Sequence, residues 1–144
     1  VFLILVGGAA QDGSPETIMK VAKSSGVENR VMLAGPQPYD RVAQYFSAAD
    51  ASVLASYREG CPNAVLESLA CGTPVVATDV GAVRDILPVP DAGRIVPLQE
   101  KEPLKNALAE VIGQEWDPET VQEKSGVRSW DQVAVEVKKV FQNI

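Results

Sequence analysis

The 144-residue sequence contains no histidine and only two cysteines. Without histidine, Ser-His and Cys-His catalysis have no base, and the usual imidazole ligand of a zinc site is missing. Cys61 and Cys71 fall at opposite ends of one predicted short helix. At about 1.5 Å of rise per residue they stand more than about 10 Å apart, beyond the reach of a disulfide. Two unbridged thiols fit a reducing, cytoplasmic setting. Positive charge is also scarce. Thirteen Lys and Arg face nineteen Asp and Glu, and the net charge of -6 argues against a nucleic-acid binder. No apolar run approaches the roughly 20 residues a membrane span needs. The opening run Val1-Phe2-Leu3-Ile4-Leu5-Val6 ends in Gly7-Gly8 and lacks the basic flank of a signal peptide. An initiating methionine is absent, and the chain opens inside an apolar run. The sequence is therefore expected to be the truncated part of a longer protein.

What is present describes an ordinary globule: 46% hydrophobic and 22% charged residues, with room for one domain. Continuous apolar runs at 1–6, 31–34, 51–55, 74–77 and, briefly, 94–96 predict five buried strands. Between them lie helical signals. Ser14-Pro15 combines an N-cap with proline at the first helical position, and Gly26 closes the segment. Val42, Tyr45, Phe46 and Ala49 share one helical face. A short helix over 63–71 is expected to be capped by Asn63 and stopped by Gly72, and another spans 82–87. Leu104, Ala107, Leu108, Val111 and Ile112 mark a helix ending at Gly113. Ser129-Trp130-Asp131-Gln132 matches a capping box, and it opens a helix with an apolar stripe of Trp130, Val133, Ala134, Val137, Val140 and Phe141. Residues 116–128 give no clear pattern.

Strands alternating with helices predict an α/β fold, a doubly wound, Rossmann-like parallel sheet of about five strands with helices on both faces. Ligands in such sheets bind at the carboxyl ends of the strands. The longest polar loop at those ends is 56–63. It leads into Glu59-Gly60-Cys61-Pro62-Asn63-Ala64-Val65-Leu66-Glu67, with one glutamate in the loop and another a turn into the helix. Glu67 is the only charged residue of 63–71, and on a helical wheel it lies with the small or polar Asn63, Ala64, Ala70 and Cys71. A carboxylate accepts paired hydrogen bonds from neighbouring sugar or ribose hydroxyls, and a helix amino end favours phosphate. Spacing alone leaves an equally weighted alternative, in which both glutamates are solvated surface residues.

The segment continues Ser68-Leu69-Ala70-Cys71-Gly72-Thr73-Pro74-Val75-Val76-Ala77-Thr78-Asp79-Val80-Gly81. Together these blocks resemble the carboxy-terminal, donor-binding domain of the group 1 (family 4) retaining glycosyltransferases of GT-B fold. The resemblance extends over nearly the whole chain through 31–35, 45–50, 93–97 and the helix at Ser129-Trp130. It implies that Glu59 contacts the donor sugar and supports charge at the anomeric centre, as the catalytic residue, and that Glu67 binds the ribose. It implies further that the loop of Gly60, Cys61, Pro62, Asn63 and Ala64 holds the sugar and phosphates, through the backbone N–H groups around Cys61–Ala64 that remain beside the proline, and that Gly35 and Pro36 receive the base. The implied donor is a nucleotide-diphosphate sugar, with no metal and no other cofactor. The first strand and helix of the domain, the diphosphate-clamping Arg and Lys, and the acceptor domain would lie upstream of Val1. An acceptor sugar or lipid-linked sugar, and any contact with the inner face of a membrane, would be reached only through that missing half.

Two departures stand out. Pro62 has no N–H, so one potential donor is lost from the loop, and Ala82-Val83-Arg84-Asp85 replaces the Pro-Glu common in the family. Among the remaining candidates, Gly7-Gly8-Ala9 lacks the G-x-G-x-x-G spacing and reads as a tight turn. Arg58 reads as a surface residue, Cys61 has no base beside it in sequence, and Trp116 and Trp130 read as packing residues. Asp79 is either a turn residue or faces the cleft. The missing fingerprint argues against a Rossmann oxidoreductase. The missing histidine argues against a GT-B sugar-nucleotide epimerase, which together with a non-catalytic nucleotide-sugar-binding module is the alternative to a transferase.

Overall fold

A computed structural model describes residues 1–8 and 14–142. Ala9 of the predicted glycine turn lies outside the described residues. The contacts divide the chain into two units, Val1–Gln44 and Tyr45–Ile144.

The first unit contains β1 (Leu3–Val6), α1 (Pro15–Ser24), a 3-10 turn at Glu28–Arg30, β2 (Val31–Gly35) and the start of α2 (Tyr39–Ser47). β1 and β2 pair in parallel, from Leu3 opposite Val31 to Val6 opposite Gly35. The predicted cap of α1 forms as expected: the Ser14 hydroxyl accepts the Thr17 N–H at 3.2 Å, with Pro15 at the first helical position. Gly26 follows α1 with φ +68.

The second unit holds β3 (Ser52–Leu54), α3 (Asn63–Ala70), β4 (Val75–Thr78), α4 (Val83–Ile86), β5 (Gly93–Val96), α5 (Lys101–Ile112), α6 (Pro118–Ser125) and α7 (Trp130–Gln142). β3, β4 and β5 form a parallel sheet with β4 in the middle. All four residues of β4 are buried, as an apolar run with both faces covered requires. Its side chains alternate. Val75 and Ala77 join Val65 and Leu69 of α3 in one cluster, whereas Val76 packs with Ala107 and Val111 of α5 in another. A period of two in the strand thus sorts α3 and α5 onto opposite faces.

The fold class and the five parallel strands agree with the sequence reading. The pairing refines it: among the described residues the strands form a two-stranded and a three-stranded sheet, and β2 and β3 are not hydrogen-bonded neighbours. Residues 116–128, unresolved in the sequence reading, contain α6. Asp117 caps it by accepting the Thr120 N–H at 3.0 Å, and Gly126 ends it in the left-handed conformation at φ +63. The capping box of α7 is complete. The Gln132 N–H donates to the Ser129 hydroxyl at 3.2 Å, and the Ser129 N–H donates back to Gln132 Oε1 at 2.7 Å.

The predicted stripe on α7 is not a core face here. Trp130 is 88% exposed, and Val137, Val140 and Phe141 are also exposed, so Trp130 is not a packing residue. Of the stripe only Val133 is half-buried among the described residues. Trp116 is packed as predicted. It contributes to both clusters, and its indole N–H donates to the Val111 carbonyl at 2.8 Å.

Candidate functional site

The chain leaves β3 at Leu54, runs through a loop over 55–62 and enters α3 at Asn63. The loop therefore sits at the carboxyl end of a parallel sheet, where a doubly wound fold leaves room for a ligand. Glu59 is half-buried, Gly60 and Cys61 are exposed, Pro62 is buried, Asn63 and Ala64 are exposed, and Glu67 is half-buried. Of these candidate residues all but Pro62 retain some exposure to solvent.

One detail of the helix start differs from expectation. Asn63 is the first helical residue, and the cap position belongs to Pro62, extended at φ -75 and ψ 105. The proline carbonyl accepts the Val65 N–H at 3.1 Å, closing the first turn one residue earlier than predicted. Among the described residues no side chain caps this end. The first N–H groups of a helix have no intrahelical partner, so those of Asn63 and Ala64 remain available at the positive end of the helix dipole.

Packing decides which side of α3 faces outward. Val65 and Leu69 are buried against the sheet, and the buried Ser68 hydroxyl donates to the Thr73 carbonyl at 3.0 Å and lies 2.7 Å from the Ser52 hydroxyl. Leu66 is only partly buried. Asn63 and Ala64 each stand about one helical turn from Glu67, on the less buried side. Among the described residues, neither the Glu59 nor the Glu67 carboxylate pairs with a cation or accepts a hydrogen bond. Their acceptor capacity is unspent, whereas Glu110, Glu136 and Asp117 all have partners.

The exit of β4 underlies this loop. The Thr78 hydroxyl donates to the Ser56 carbonyl at 2.7 Å, and the Leu54 carbonyl lies 3.3 Å away. The Ala82 N–H donates to the Gly60 carbonyl at 2.8 Å. Gly81 passes so close that an added Cβ would stand 2.3 Å from the Gly60 oxygen and 2.4 Å from the Glu59 oxygen. Sequence reasoning did not find Thr78 or Gly81, because their partners lie some 22 residues away and neither residue type signals chemistry by itself. The two readings of Asp79 resolve into an ion pair on this turn. Arg84 donates to both carboxylate oxygens, at 2.8 and 2.5 Å, and this hydrogen-bonded negative partner raises the guanidinium above its usual pKa. Arg58 is exposed and without an ion pair among the described residues. Both cysteines are unbridged.

Gly35 and Pro36 belong to the first unit, at the carboxyl end of β2. Gly35 has φ +68, and its carbonyl accepts the Gly7 N–H at 2.9 Å, while Pro36 is exposed. The neighbouring Gln37 amide donates to the Ala34 carbonyl at 2.7 Å. A depression of about 500 Å³, lined by residues including Asp50, Thr73, Glu115 and Trp116, opens in the second unit at the amino ends of β3 and β4. That is the wrong edge for a ligand of a parallel sheet. Among the described residues no cluster of His, Cys, Asp or Glu could hold a metal, and no helix is long and apolar enough to cross a membrane.

Residues 1–114 match the family described as Glycosyl transferases group 1. The chain belongs to the group 1 glycosyltransferases. Its relatives include the D-inositol 3-phosphate glycosyltransferase of Mycobacteroides abscessus, 33% identical over 114 residues, which cover 78% of this chain and 26% of that protein. The sucrose-phosphate synthase of Thermosynechococcus elongatus is similar in structure. The match has a TM-score of 0.79 at 26% identity and covers 98% of this chain and 38% of the other. The pneumococcal O-GlcNAc transferase in complex with UDP and GlcNAc shares the fold, with a TM-score of 0.77 at 17% identity over 99% of this chain and 29% of its own. This glycosyltransferase chain thus spans about a quarter of the length of the curated relatives it matches.

Proposed function

We propose that residues 1–144 form the donor half of a longer retaining glycosyltransferase that takes a hexose from a nucleotide-diphosphate sugar. The observation that carries this reading is a pair of carboxylates, Glu59 and Glu67, without partners among the described residues, one before and one after a helix start that no described side chain caps, in the segment that follows the carboxyl end of β3. In this reading Glu67 accepts hydrogen bonds from the ribose hydroxyls, and Glu59 contacts the donor sugar as the catalytic residue. The backbone from Gly60, Cys61 and Pro62 into Asn63 and Ala64 cradles the sugar and phosphates, and Gly35 and Pro36 receive the base. The bond from the anomeric carbon to the nucleoside diphosphate breaks, an acceptor hydroxyl, of a sugar or a lipid-linked sugar, bonds to that carbon on the same face, and the hydroxyl proton leaves with the diphosphate. Charge on the leaving diphosphate is met by the positive end of α3 and by basic side chains elsewhere in the longer protein, so the proposal contains no metal and no cofactor. The fold is shared with a transferase bound to UDP, which makes uridine nucleotides the first to test. The cytoplasm, including the inner face of its membrane, is the compartment proposed for such a product, with polysaccharide or glycolipid as its class.

The test uses the full-length protein and a panel of UDP-, GDP- and ADP-linked sugars, followed by release of nucleoside diphosphate. Glu67→Ala is expected to weaken binding of the nucleoside diphosphate by roughly 1–3 kcal/mol, the range for a hydrogen bond to a charged group. Unchanged affinity by titration calorimetry removes Glu67 from the site. Glu59→Gln is expected to lower kcat more than it raises KM, because support of charge developing at the anomeric centre is realised in the transition state. The reverse pattern makes Glu59 a ground-state binding residue. Residues 1–144 alone are expected to release nucleoside diphosphate no faster than buffer. Positioning two reactants together is worth roughly 7–11 kcal/mol, and this chain is proposed to supply one side of the cleft. Turnover by the isolated chain that vanishes in Glu59→Gln would overturn that division of labour.

A further inference from the structure

We infer that Thr78 is a positioning residue for Glu59, acting through the backbone of the loop that carries it. The inference rests on the donor-binding reading above and extends it to a side chain that touches no substrate. Thr78 is the last residue of β4 and is 5% exposed. Its single hydroxyl proton is directed to the Ser56 carbonyl at 2.7 Å, with the Leu54 carbonyl at 3.3 Å. These are the last residue of β3 and the second residue beyond it, the point at which the chain turns out of the sheet. Three residues after Ser56 comes Glu59, and the next carbonyl, that of Gly60, is held by the Ala82 N–H. The Glu59 backbone is therefore suspended between two hydrogen bonds, both donated by the exit of β4.

The second donor is a main-chain N–H that most substitutions would leave in place. The first is a side chain that chemistry can remove. Ordinary core packing would be satisfied by valine at position 78, which has the same shape and the same branched Cβ. The hydroxyl is useful only as a donor, and what it holds is a loop carbonyl rather than a core group. Ser56 is half-buried, and its carbonyl, deprived of this donor, is left unsatisfied unless it turns towards water; that rotation would move the backbone three residues before Glu59. A displacement of about 1 Å of a catalytic group is enough to slow a reaction by a large factor.

The experiment is a double-mutant cycle in the full-length protein, using the panel member with the highest turnover. Thr78→Val is expected to lower kcat about tenfold while donor KM stays within about twofold. In a Glu59→Gln background the same substitution is expected to change kcat by less than about twofold, because residues acting through one group are not additive. Thr78→Ser, which keeps the hydroxyl, is expected to restore kcat to within about threefold of the parent. Thermal melting followed by circular dichroism verifies that each variant is folded. An undiminished kcat in Thr78→Val overturns the inference. So does an equal fall in both backgrounds, which would mark a general loss of structure. If Glu59→Gln alone leaves kcat unchanged, the catalytic reading of Glu59 fails first, and the role assigned to Thr78 fails with it. The single mutant and the cycle thus report the two failures separately.

Discussion

Gly93→Ala is expected to destabilise the second unit by more than about 4 kcal/mol, at the exceptional end of what single substitutions do. Gly93 opens β5 at φ +151, a backbone conformation that residues with a Cβ rarely adopt. It lies directly opposite Val75 in the parallel register. A Cβ built on it would stand 1.9 Å from the Val75 oxygen and under 3 Å from the Val75 nitrogen and carbonyl carbon. None of these atoms can move alone, because Val75 is fully buried in the central strand and its N–H donates to the Ala92 carbonyl at 3.0 Å. Relief requires β5 to separate from β4, which undoes four paired positions from Val75–Gly93 to Thr78–Val96. Urea unfolding followed by far-ultraviolet circular dichroism measures the loss. A change below about 1 kcal/mol would mean that β5 does not approach β4 in this register.

Gly81→Ala is expected to act on the site rather than on the fold. Its φ of +52 lies in the left-handed region, where an alanine costs roughly 1–2 kcal/mol. The larger consequence is steric, since the new methyl would meet the Gly60 and Glu59 carbonyl oxygens at 2.3 and 2.4 Å. Gly81 and Gly60 are both exposed, so the loop can yield by moving outward. In doing so it carries Glu59 away from its place by about the distance that can slow a well-positioned reaction a hundredfold. In the full-length protein kcat/KM should fall about that much, with only a modest change in thermal midpoint. Activity within threefold of the parent would show that the loop is not held by this turn, or that the place of Glu59 is unimportant.

Structure that depends on neighbours in sequence was legible, and structure that depends on distant partners was not. The caps at Ser14 and at Ser129 with Gln132 involve residues three apart, and the sequence contains everything they need. The same signal is present at α6. Asp117-Pro118-Glu119-Thr120 repeats the pattern of Ser14-Pro15-Glu16-Thr17 with aspartate as the cap, and the bond to Thr120 holds the Asp117 carboxyl below its usual pKa. At α3 the preference of asparagine for capping pointed one residue too far, because Pro62 already supplies the extended cap geometry. Apolar runs located the strands to within one or two residues, and their alternation with helices implied parallel pairing. Such runs carry no information about which strand edges meet, so the division into two sheets could not be read from them. The stripe on α7 reveals an apolar face, but nothing in it tells what covers that face. The candidate segment 59–67 could be picked out in the sequence because it is one loop and one helix turn. The support beneath it, Thr78 and Gly81, was not, because a threonine and a glycine gain meaning only when the fold brings them to carbonyls 21 or 22 residues earlier.

The burial of β4 on both faces has a consequence for how the molecule opens. Amide protons in a strand with packed helices above and below exchange with solvent only when the whole cooperative unit unfolds, whereas those of exposed loops exchange through local fluctuation. Thr78 ends that strand, and its neighbours Val76 and Ala77 are fully buried. The tether from its hydroxyl to Ser56 therefore ties a loop that could open locally to the part of the fold that opens last. Deuterium uptake along the chain should show a steep gradient at this junction, with β4 among the slowest segments and Gly60 and Cys61 among the fast ones. A loop so anchored can move at its tip while its base persists as long as the fold does.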